Sequence, residues 1–463
     1  MNVLITGATG FIGRQLVREL LADGHQVTVL TRNPSAAERA LPVRCGCVAW
    51  NPETGLIDRD CLRSVDAVVH LAGEGIAAGR WSAARKQAIR DSRVGGTRLL
   101  VDSIAALPAS ERPRALISGS AIGYYGDRGD EPLDEQSSAG SDFLAQVCAA
   151  WEQEARRAES LGVRVAVLRI GVVLGSGGGA LRQLLPPLQV GLGGRLGSGR
   201  QWMSWIHLGD LTRLLRFALT NDAASGAINA VAPESATNAD FTRILARTLG
   251  RPAILPVPAF ALRAAMGEMA AVLLSSQRVL PRAAERLGFQ FVHGELSSAF
   301  ADLCADLSEQ FDMEQWVPHT PDAIFSFFGD ARNLELLTPE FLRFRVVGVT
   351  TPTLQTGTLI DYRLSLHGVP VRWQSRIERW EPNRTFADVQ VRGPYKLWQH
   401  THEFEPYNGG TIIRDRIRYA LPLAPLGALV AGRMVARDLR AIFDYRRAQV
   451  ATRFGSSTSR ATE

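Results

Sequence analysis

Short apolar runs alternate with amphipathic segments through the first half of the chain. Phe11–Ala22 repeats apolar residues at helical spacing, which predicts a helix with one buried face. The apolar runs are predicted as strands separated by helix-compatible segments: Val3–Thr6, Gln26–Leu30, Ala67–Leu71, Ala115–Ser118 and Arg164–Ile170. Such alternation predicts an α/β fold with a right-handed, doubly wound parallel sheet.

The pattern changes from Glu309 onward. A strand is predicted at Gln310–His319, one or two short helices within Pro321–Leu337, and alternating strands within Phe344–Tyr419. Ala428–Phe454 returns to helical spacing and predicts a long amphipathic helix. The order of these elements predicts a second, α+β domain.

Composition excludes several classes of protein. The apolar fraction of 46% and charged fraction of 21% are typical of a soluble globular chain. The sequence shows no signal peptide and no apolar run long enough to span a membrane, so a cytoplasmic protein is expected. The net charge of +6 is spread over both parts without a basic run, which argues against nucleic-acid binding. Five scattered cysteines do not form a disulfide framework.

A glycine-rich turn follows the first predicted strand. Gly7, Gly10 and Gly13 precede an amphipathic helix, where glycines let the backbone approach a pyrophosphate and the helix N-terminus supplies N–H donors. Arg32 follows the second strand, where an NAD-specific site usually has a carboxylate. An arginine there can neutralise a 2′-phosphate, so NADP(H) is the predicted cofactor; a solvated surface arginine is the alternative.

Several motifs in order resemble the extended and atypical short-chain dehydrogenase/reductases. They are GATGFIG, HLAGE, SGSAIGYYG, LRIGVVLG and WIHLGDL, and the segments QWMSWIHLGDL and SSQRVLPRAAERLGFQF are similar to nucleoside-diphosphate-sugar epimerase-like proteins. The resemblance covers about residues 1–305 and implies a Rossmann domain, a short C-terminal cap, and a set of cofactor-binding residues. That set is Gly7, Thr9, Gly10, Phe11, Ile12, Gly13, Arg32, Leu71, Ala72, Gly73, Ser118, Ile170, Gly171 and Val172.

The resemblance also implies a catalytic serine, Ser120, but the sequence departs from the family's tyrosine and lysine pair. Leu144 and Cys148 occupy those positions if Glu152 is aligned with the acidic residue that commonly follows, and no lysine lies between Lys86 and Lys396.

Tyr124 and Tyr125 are the remaining candidates for acid/base work with Ser120, with Asp127, Glu135 or Glu74 as proton partner. The alternative is that both rings only pack beside the cofactor.

A second glycine-rich segment, Gly191–Trp202, carries Arg195, Arg200 and Trp202. Two arginines and an aromatic ring suit an anionic or sugar-phosphate group, so these residues are predicted to bind substrate. The alternative is a mobile hairpin with solvated arginines.

The C-terminal pattern resembles the START-like superfamily, also called polyketide-cyclase-like or SRPBCC, over about residues 310–452. This resemblance implies a helix-grip fold whose interior takes an apolar ligand, with aromatic candidates for its lining. Those candidates are Phe325, Phe328, Tyr362, Trp373, Trp380, Trp398 and Phe443. His400 and His402 share a strand face, but the sequence offers no obvious third ligand, so no metal site is predicted.

Together these observations predict a Rossmann NADP-binding domain at 1–240, a cap at 241–308, a START-like domain at 309–454 and a disordered tail at 455–463. The first hypothesis is an NADP-dependent oxidoreductase or epimerase-like enzyme acting on a small carbonyl, hydroxyl or nucleotide-sugar-like substrate. The alternative is an NADP(H)-binding sensor or scaffold that has lost its chemistry. A minor third interpretation makes the C-terminal domain an aromatase/cyclase. An oligomer is compatible with either hypothesis.

Overall fold

The computed structural model describes residues 1–77, 79–422 and 426–455, and of residues 426–431 and 433 the backbone only. The chain divides into two compact units, one ending at Asp306 and the other beginning at Leu307. The tail predicted to be disordered lies outside the described residues except for Gly455. Within the described ranges, no helix has the length and apolar character needed to cross a membrane.

The first unit combines strands and helices in alternation. Its strands are β1 Asn2–Thr6, β2 Gln26–Thr31, β3 Gly46–Asn51, β4 Leu56–Ile57, β5 Ala67–His70, β6 Ala115–Ala121, β7 Pro132–Leu133, β8 Arg164–Ile170, β9 Val172–Gly175, β10 Gly178–Gly179, β11 Trp202–Met203, β12 Trp205–His207, β13 Gly226–Ala230, β14 Ala236–Thr237 and β15 Arg278–Val279. Its helices are α1 Phe11–Ala22, α2 Pro34–Ala40, α3 Ala83–Ala105, α4 Phe143–Arg156, α5 Leu181–Gln189, α6 Leu208–Thr220, α7 Asn238–Thr248, α8 Ala259–Met266, α9 Ala271–Leu274, α10 Arg282–Arg286 and α11 Leu296–Ala305.

The main sheet of this unit has the strand order β13-β8-β6-β5-β1-β2-β3-β4. From β13 to β3 all neighbouring strands are parallel, and β4 pairs antiparallel with β3. The chain runs outward from β1 through β2 to β3 and then crosses to β5, so the strand order reverses between β1 and β5. In open α/β sheets the ligand crevice lies at this switch point, beyond the carboxyl ends of the strands.

Helix α1 forms because its apolar residues recur on one side. Gly13, Leu16, Val17 and Leu20 are buried there, and they pack into the core beneath β1 and β2. The buried side chains of β1, β5, β6 and β8 are divided between this core and a second cluster, as expected for strands covered on both faces.

The second unit is an antiparallel sheet with helices. Its strands are β16 Glu309–Val317, β17 Arg345–Val349, β18 Leu359–Leu366, β19 Val369–Glu381, β20 Thr385–Arg392, β21 Leu397–Tyr407 and β22 Gly410–Ala420, and its helices are α12 Pro321–Phe328 and α13 Leu426–Phe454. The sheet order is β16-β22-β21-β20-β19-β18-β17, and every pair is antiparallel. Phe443 of α13 packs against Phe311 of β16, which is the arrangement of a helix-grip domain. Both parts of the predicted fold class are therefore confirmed.

Candidate functional site

The glycine turn between β1 and α1 leaves no room for side chains. Gly7 has a φ of +73°, and a Cβ there would lie 2.7 Å from the carbonyl of Leu71. A Cβ on Gly13 would lie 2.3 Å from the oxygen of Gly7. Gly10 is the N-cap of α1, and no side chain of the described residues caps that end. The first N–H groups of α1 therefore face a backbone-lined concavity suited to a pyrophosphate.

Phe11 fixes the start of α1 by packing on a second glycine turn. A Cβ on Gly178 would lie 2.7 Å from Phe11 Cδ2, and a Cβ on Gly175 would lie 2.6 Å from Phe11 Cζ. The ring thus occupies the space that glycines leave between β9 and β10. Close packing also holds Gly171, whose Cβ would lie 2.7 Å from the oxygen of Ser204.

The loop after β5 is held by a buried histidine. His70 Nδ1 lies 2.7 Å from Thr6 Oγ1, and its Nε2 lies 2.9 Å from Thr97 Oγ1. Burial lowers the pKa of His70 to about 4, so the ring is neutral and each threonine finds a donor or an acceptor. Ala72 N–H donates to Thr6 Oγ1 at 3.2 Å. These bonds fix the path of Leu71–Gly73 beside the glycine turn.

Arg32 follows the carboxyl end of β2 and is largely exposed. Its guanidinium lies 4.0 Å from Glu53 and 3.9 Å from Glu74, and its side chain is 64% exposed. Glu74 is more closely paired with Arg85, at 3.0 Å. Pairs this long and exposed contribute little, so the cation remains available to an anionic group.

Ser120, at the end of β6, joins a buried ion pair. Its Oγ donates to Glu152 Oε1 at 2.7 Å. Arg169 binds both oxygens of Glu152, with Nε to Oε1 and Nη2 to Oε2 each at 2.9 Å. The three side chains are only about 3% exposed, and Glu152 and Arg169 come from α4 and β8. A bidentate pair of this kind fixes the carboxylate and, through it, the serine rotamer.

The structure gives the two adjacent tyrosines different surroundings. Both lie in a short 3-10 helix, Ile122–Tyr125. The hydroxyl of Tyr125 is 2.7 Å from Asn229 Oδ1 and 2.9 Å from the oxygen of Asp134, and it accepts from Arg169 at 3.0 Å. Burial raises the pKa of Tyr125 to about 12. Its hydroxyl is thus occupied by structural hydrogen bonds, which agrees with the alternative that this tyrosine only packs in the fold.

Tyr124 is half-buried and packs against Arg169. The guanidinium carbon of Arg169 lies 3.5 Å from the centroid of the Tyr124 ring, which is a close cation–π contact. Among the described residues, none hydrogen-bonds the Tyr124 hydroxyl. Arg169 therefore contacts both the ring of Tyr124 and Glu152, the carboxylate that accepts from Ser120.

The three carboxylates expected as proton partners have other tasks. Asp127 Oδ1 accepts from Ser276 N–H at 3.0 Å. Glu135 Oε1 accepts from the N–H groups of Asn229 and Ala283, each at 3.0 Å, and Glu74 pairs with Arg85. The structure thus engages each of these carboxylates elsewhere, and it places Glu152 instead at the hydroxyl of Ser120.

Leu144 and Cys148 lie on α4 directly behind the 3-10 helix. A Cβ on Gly123 would lie 3.4 Å from Leu144 Cβ and 3.8 Å from Cys148 Sγ. Burial raises the pKa of Cys148 to about 12, so its thiol stays protonated at neutral pH. These two residues pack against the loop and supply no base.

The residues predicted to bind substrate do not share one set of neighbours. Arg195 lines a surface pocket of about 330 Å³ with Arg243, Arg247 and Arg251. Trp202 instead donates from Nε1 to Asp130 at 2.8 Å, and the guanidinium of Arg278 lies 4.7 Å from its ring. Arg200 is exposed. Trp202 thus adjoins the loop that follows Tyr124, whereas Arg195 contributes to an arginine-rich pocket beside α7.

Sequence reasoning treated Glu152 only as an alignment marker and gave Arg169 no role. Both had a detectable signal, because each places a charge where periodicity demands burial: Arg169 interrupts the apolar strand VAVLRI, and Glu152 follows Trp151 on α4. Buried charges are rarely found unless they are paired, so the two together predict a pair.

The aromatic residues of the second unit pack mainly with one another. Phe325, Phe328 and Phe386 belong to one buried cluster, and Tyr362 belongs to another with Ile360 and Ile377. Phe443 packs with Leu439 and Tyr419. For these rings the structure agrees with core packing, and Trp373 and Trp398 lie in edge-to-face contact at 5.2 Å.

A glycine-lined phosphate turn at the switch point of a parallel sheet, with a serine at the end of β6, defines a Rossmann protein of the short-chain dehydrogenase/reductase class. The family described as NAD dependent epimerase/dehydratase matches residues 3–231. A domain of unknown function matches residues 257–303, and the family described as polyketide cyclase/dehydrase and lipid transport matches residues 317–444.

Curated relatives match about two thirds of the chain. The Arabidopsis thaliana chloroplastic homolog of epimerase family protein SDR39U1 is 46% identical over 65% of this chain and 85% of its own length. A Mycobacterium bovis epimerase family protein is 45% identical over 64% of this chain and 95% of its own length. The chain therefore belongs to the NAD dependent epimerase/dehydratase family, as the sequence motifs predict.

Solved structures of epimerase family proteins have a similar fold. Human epimerase family protein SDR39U1, solved with NADPH, is 36% identical, with a TM-score of 0.58 over 66% of this chain and 100% of its own. A nucleoside-diphosphate sugar epimerase from Corynebacterium glutamicum is 37% identical, with a TM-score of 0.53 over 65% of this chain and 58% of its own. NADPH is the cofactor that the sequence predicts for this chain.

Proposed function

We propose that the first unit is an NADP(H)-dependent enzyme of the oxidoreductase or epimerase type, and that Ser120 and Tyr124 contact the reacting C–O group of its substrate. The observation that carries this proposal is the buried hydrogen bond from Ser120 to Glu152 at 2.7 Å. Arg169 holds both oxygens of that carboxylate, so the serine oxygen at the end of β6 is fixed in position for a substrate.

The residues around the switch point fit a dinucleotide. Gly7 and Gly13 lie where any Cβ would collide with backbone, so the surface is open to a pyrophosphate at close range. Arg32 would hold the 2′-phosphate, and Leu71–Gly73 would border the adenosine. Ser118 and Ile170–Val172 would border the nicotinamide, with Thr9, Phe11 and Ile12 completing the phosphate turn.

The bound nicotinamide would supply or accept a hydride, and the chain's own residues would manage the proton. Ser120 Oγ donates its single hydrogen to Glu152 in a hydrogen bond, so Oγ would accept a hydrogen bond from a substrate hydroxyl through a lone pair. As the hydride leaves the carbon, the substrate proton would move to Ser120 Oγ while the serine proton moves to Glu152. Tyr124, whose hydroxyl has no hydrogen-bond partner in the described part of the chain, would orient the same oxygen. We do not include Tyr125, because its hydroxyl is occupied.

We propose a small carbonyl, hydroxyl or nucleotide-sugar-like substrate. Trp202, Asp130 and Arg278 form a polar and aromatic group next to the Tyr124 loop. Residues 241–308 would form the cap over this side. The second unit, by its family match, would take an apolar ligand.

The first experiment is a fluorescence titration of the full chain with NADPH and with NADH, followed by a screen of carbonyl and nucleotide-sugar substrates. Ser120→Ala is compared with Ser103→Ala, a buried serine of α3 that donates only to the Leu99 carbonyl. We expect selective NADPH binding in all three proteins, and turnover lost only in Ser120→Ala.

Two results would contradict the proposal. Absence of NADPH binding would remove the cofactor site altogether. Binding without turnover, unchanged by Ser120→Ala, would instead favour an NADP(H)-binding sensor.

A further inference from the structure

Three adjacent strands of the second unit bring two histidines and two aspartates together in its interior. Asp388 of β20 pairs across the sheet with His400 of β21, and His402 of β21 pairs with Asp415 of β22. The three residues other than Asp388 are at most 6% exposed, and the Asp388 side chain is 16% exposed. Helix α13 covers them, since its Arg446 reaches Asp415 at 3.4 Å.

Asp415 anchors the two imidazoles from one side. His400 Nε2 is hydrogen-bonded to Asp415 Oδ1 at 3.0 Å, and His402 Nδ1 lies 2.6 Å from the same oxygen. A carboxylate behind an imidazole is the usual support of a metal-binding histidine, because it fixes the ring and its tautomer. His400 Nδ1 is then directed toward Asp388 Oδ1, 3.9 Å away.

Asp388 is held in a matching way. Ser375 Oγ donates to Asp388 Oδ2 at 3.0 Å, which leaves Oδ1 on the side of His400. One donor atom each from Asp388, His400 and His402 lie within 4.8 Å of one another. Donor atoms about 2.1 Å from a tetrahedrally coordinated ion lie roughly 3.4 Å apart, so the three groups need to close by at most about 1.4 Å to bind one.

The polar network is incomplete as it stands. Among the described residues, Arg446 Nε is buried without a hydrogen-bond partner, whereas His402 Nδ1 faces Asp415 Oδ1 at 2.6 Å. Buried polar atoms in native proteins are nearly always satisfied, so the exception beside this cluster indicates that its polar network lacks a component.

We propose that Asp388, His400 and His402 bind a divalent first-row transition metal ion, such as Zn²⁺ or Fe²⁺, inside the second unit. Two imidazoles and one carboxylate favour these ions over Mg²⁺ or Ca²⁺, which prefer oxygen alone. Phe386 stacks on His402 at 4.3 Å and Phe443 meets His400 edge-on at 5.6 Å, so both rings are fixed. Three protein ligands leave a coordination position open for an oxygen atom of water or of a ligand.

The test is a metal titration of the full chain after treatment with a chelator. Zn²⁺ is titrated in competition with a chromophoric chelator, and Co²⁺ binding is followed by its visible absorption. Asp388→Asn keeps the size of the side chain and its capacity to accept from Ser375. His367→Gln is the control, because His367 is a half-exposed histidine of the same unit paired with Asp438. Asp302→Asn reports on the other group of described residues that could hold an ion, His207, His293 and Asp302.

We expect the wild type, His367→Gln and Asp302→Asn to bind one equivalent with the same affinity. Asp388→Asn should bind at least about tenfold more weakly, with the metal-free unfolding midpoint and circular dichroism unchanged. Cobalt bands should report nitrogen and oxygen ligation, and should weaken in His400→Gln. Failure of the wild type to bind either ion would overturn the proposal. So would equal binding by Asp388→Asn, or loss of binding in Asp302→Asn.

Discussion

Arg32 is the side chain on which the choice between the two nicotinamide cofactors depends. Its long, exposed ion pairs with Glu53 and Glu74 leave the guanidinium able to bind a phosphate. We expect Arg32→Ala to weaken NADPH binding roughly ten- to hundredfold, the loss of one charge-assisted contact, and to leave NADH binding unchanged. Fluorescence titration with both nucleotides measures this.

The matched control for Arg32 is Arg114→Ala. Arg114 is also exposed and lies 3.7 Å from the carboxylate of Asp66. It precedes β6, so it lies at the amino ends of the parallel strands, whereas Arg32 lies at their carboxyl ends. Equal losses of NADPH affinity in both variants would show that only general charge matters.

The two tyrosines should respond oppositely to loss of their hydroxyls. Tyr125→Phe removes a buried hydroxyl that serves Asn229 and Arg169, so we expect it to lower the free energy of unfolding by about 1 to 3 kcal/mol. Tyr124→Phe should leave stability unchanged and lower kcat. Urea unfolding and steady-state kinetics measure the two effects. A lower kcat in Tyr125→Phe with unchanged kcat in Tyr124→Phe would place the acid/base role on Tyr125.

At the residue scale, sequence reasoning found Ser120 but not its partner. Motif spacing locates a serine along one strand, whereas the contact with Glu152 joins β6 to α4, and the one with Arg169 joins α4 to β8. Such pairs depend on how elements pack, which local patterns do not encode. A charge inside an apolar strand was the available signal.

Among the elements, the short β9–β10 turn positions the start of α1. Gly178 touches Phe11, whereas Gly177 next to it has none of the described atoms within 4 Å of an added Cβ. We expect Gly178→Ala to destabilise the first unit by about 1 to 3 kcal/mol through overpacking and to weaken NADPH binding. Gly177→Ala should change neither. Thermal unfolding and nucleotide titration of the two variants provide the comparison, and equal behaviour would exclude a positioning role for the turn.

His70 couples β5 to β1 and α3, and its buried neutral ring makes that coupling sensitive to acid. The pKa of His70 is about 4 in the fold, against 6.5 for a free histidine, so the unfolded chain takes up a proton first as pH falls. Its contribution is complete above about pH 6.5 and is lost toward pH 4, at roughly 1.4 kcal/mol per pH unit.

His70→Gln tests this pH dependence, because an amide can still bond both threonines without titrating. Urea unfolding between pH 4 and 7.5 should show a smaller loss of stability at low pH for the variant than for the wild type. Parallel curves would mean that His70 is not the group responsible. His400, whose pKa is also lowered to about 4, is present in both proteins and cancels in the difference.

Elements with a strong period were predicted well. Helix α1 has the predicted bounds, and β8 coincides with Arg164–Ile170. The 3-10 helix Ile122–Tyr125 was not predicted, because its four residues carry no period. The histidine and aspartate cluster was missed for a different reason: Asp388 and His400 meet only through strand register, which the sequence does not specify.

For the whole molecule, the two units match different protein families. The human relative is matched over its entire length by 66% of this chain, and a different family matches residues 317–444. Each unit also has its own buried clusters. A protein that corresponds to the first unit alone therefore exists as a folded, NADPH-bound chain in another organism.

We accordingly expect residues 1–306 to fold when expressed alone and to bind NADPH with the affinity of the full chain, within about twofold, as for independent sites. Calorimetry of the full chain should show two unfolding transitions, one of which is also seen for residues 1–306 alone. NADPH should raise the unfolding temperature of that transition only, because a ligand stabilises only the unit that binds it. Zn²⁺ should raise the unfolding temperature of the other transition. A single transition whose temperature rises with both ligands would instead show that the two units unfold as one cooperative unit, which NADPH and Zn²⁺ both stabilise.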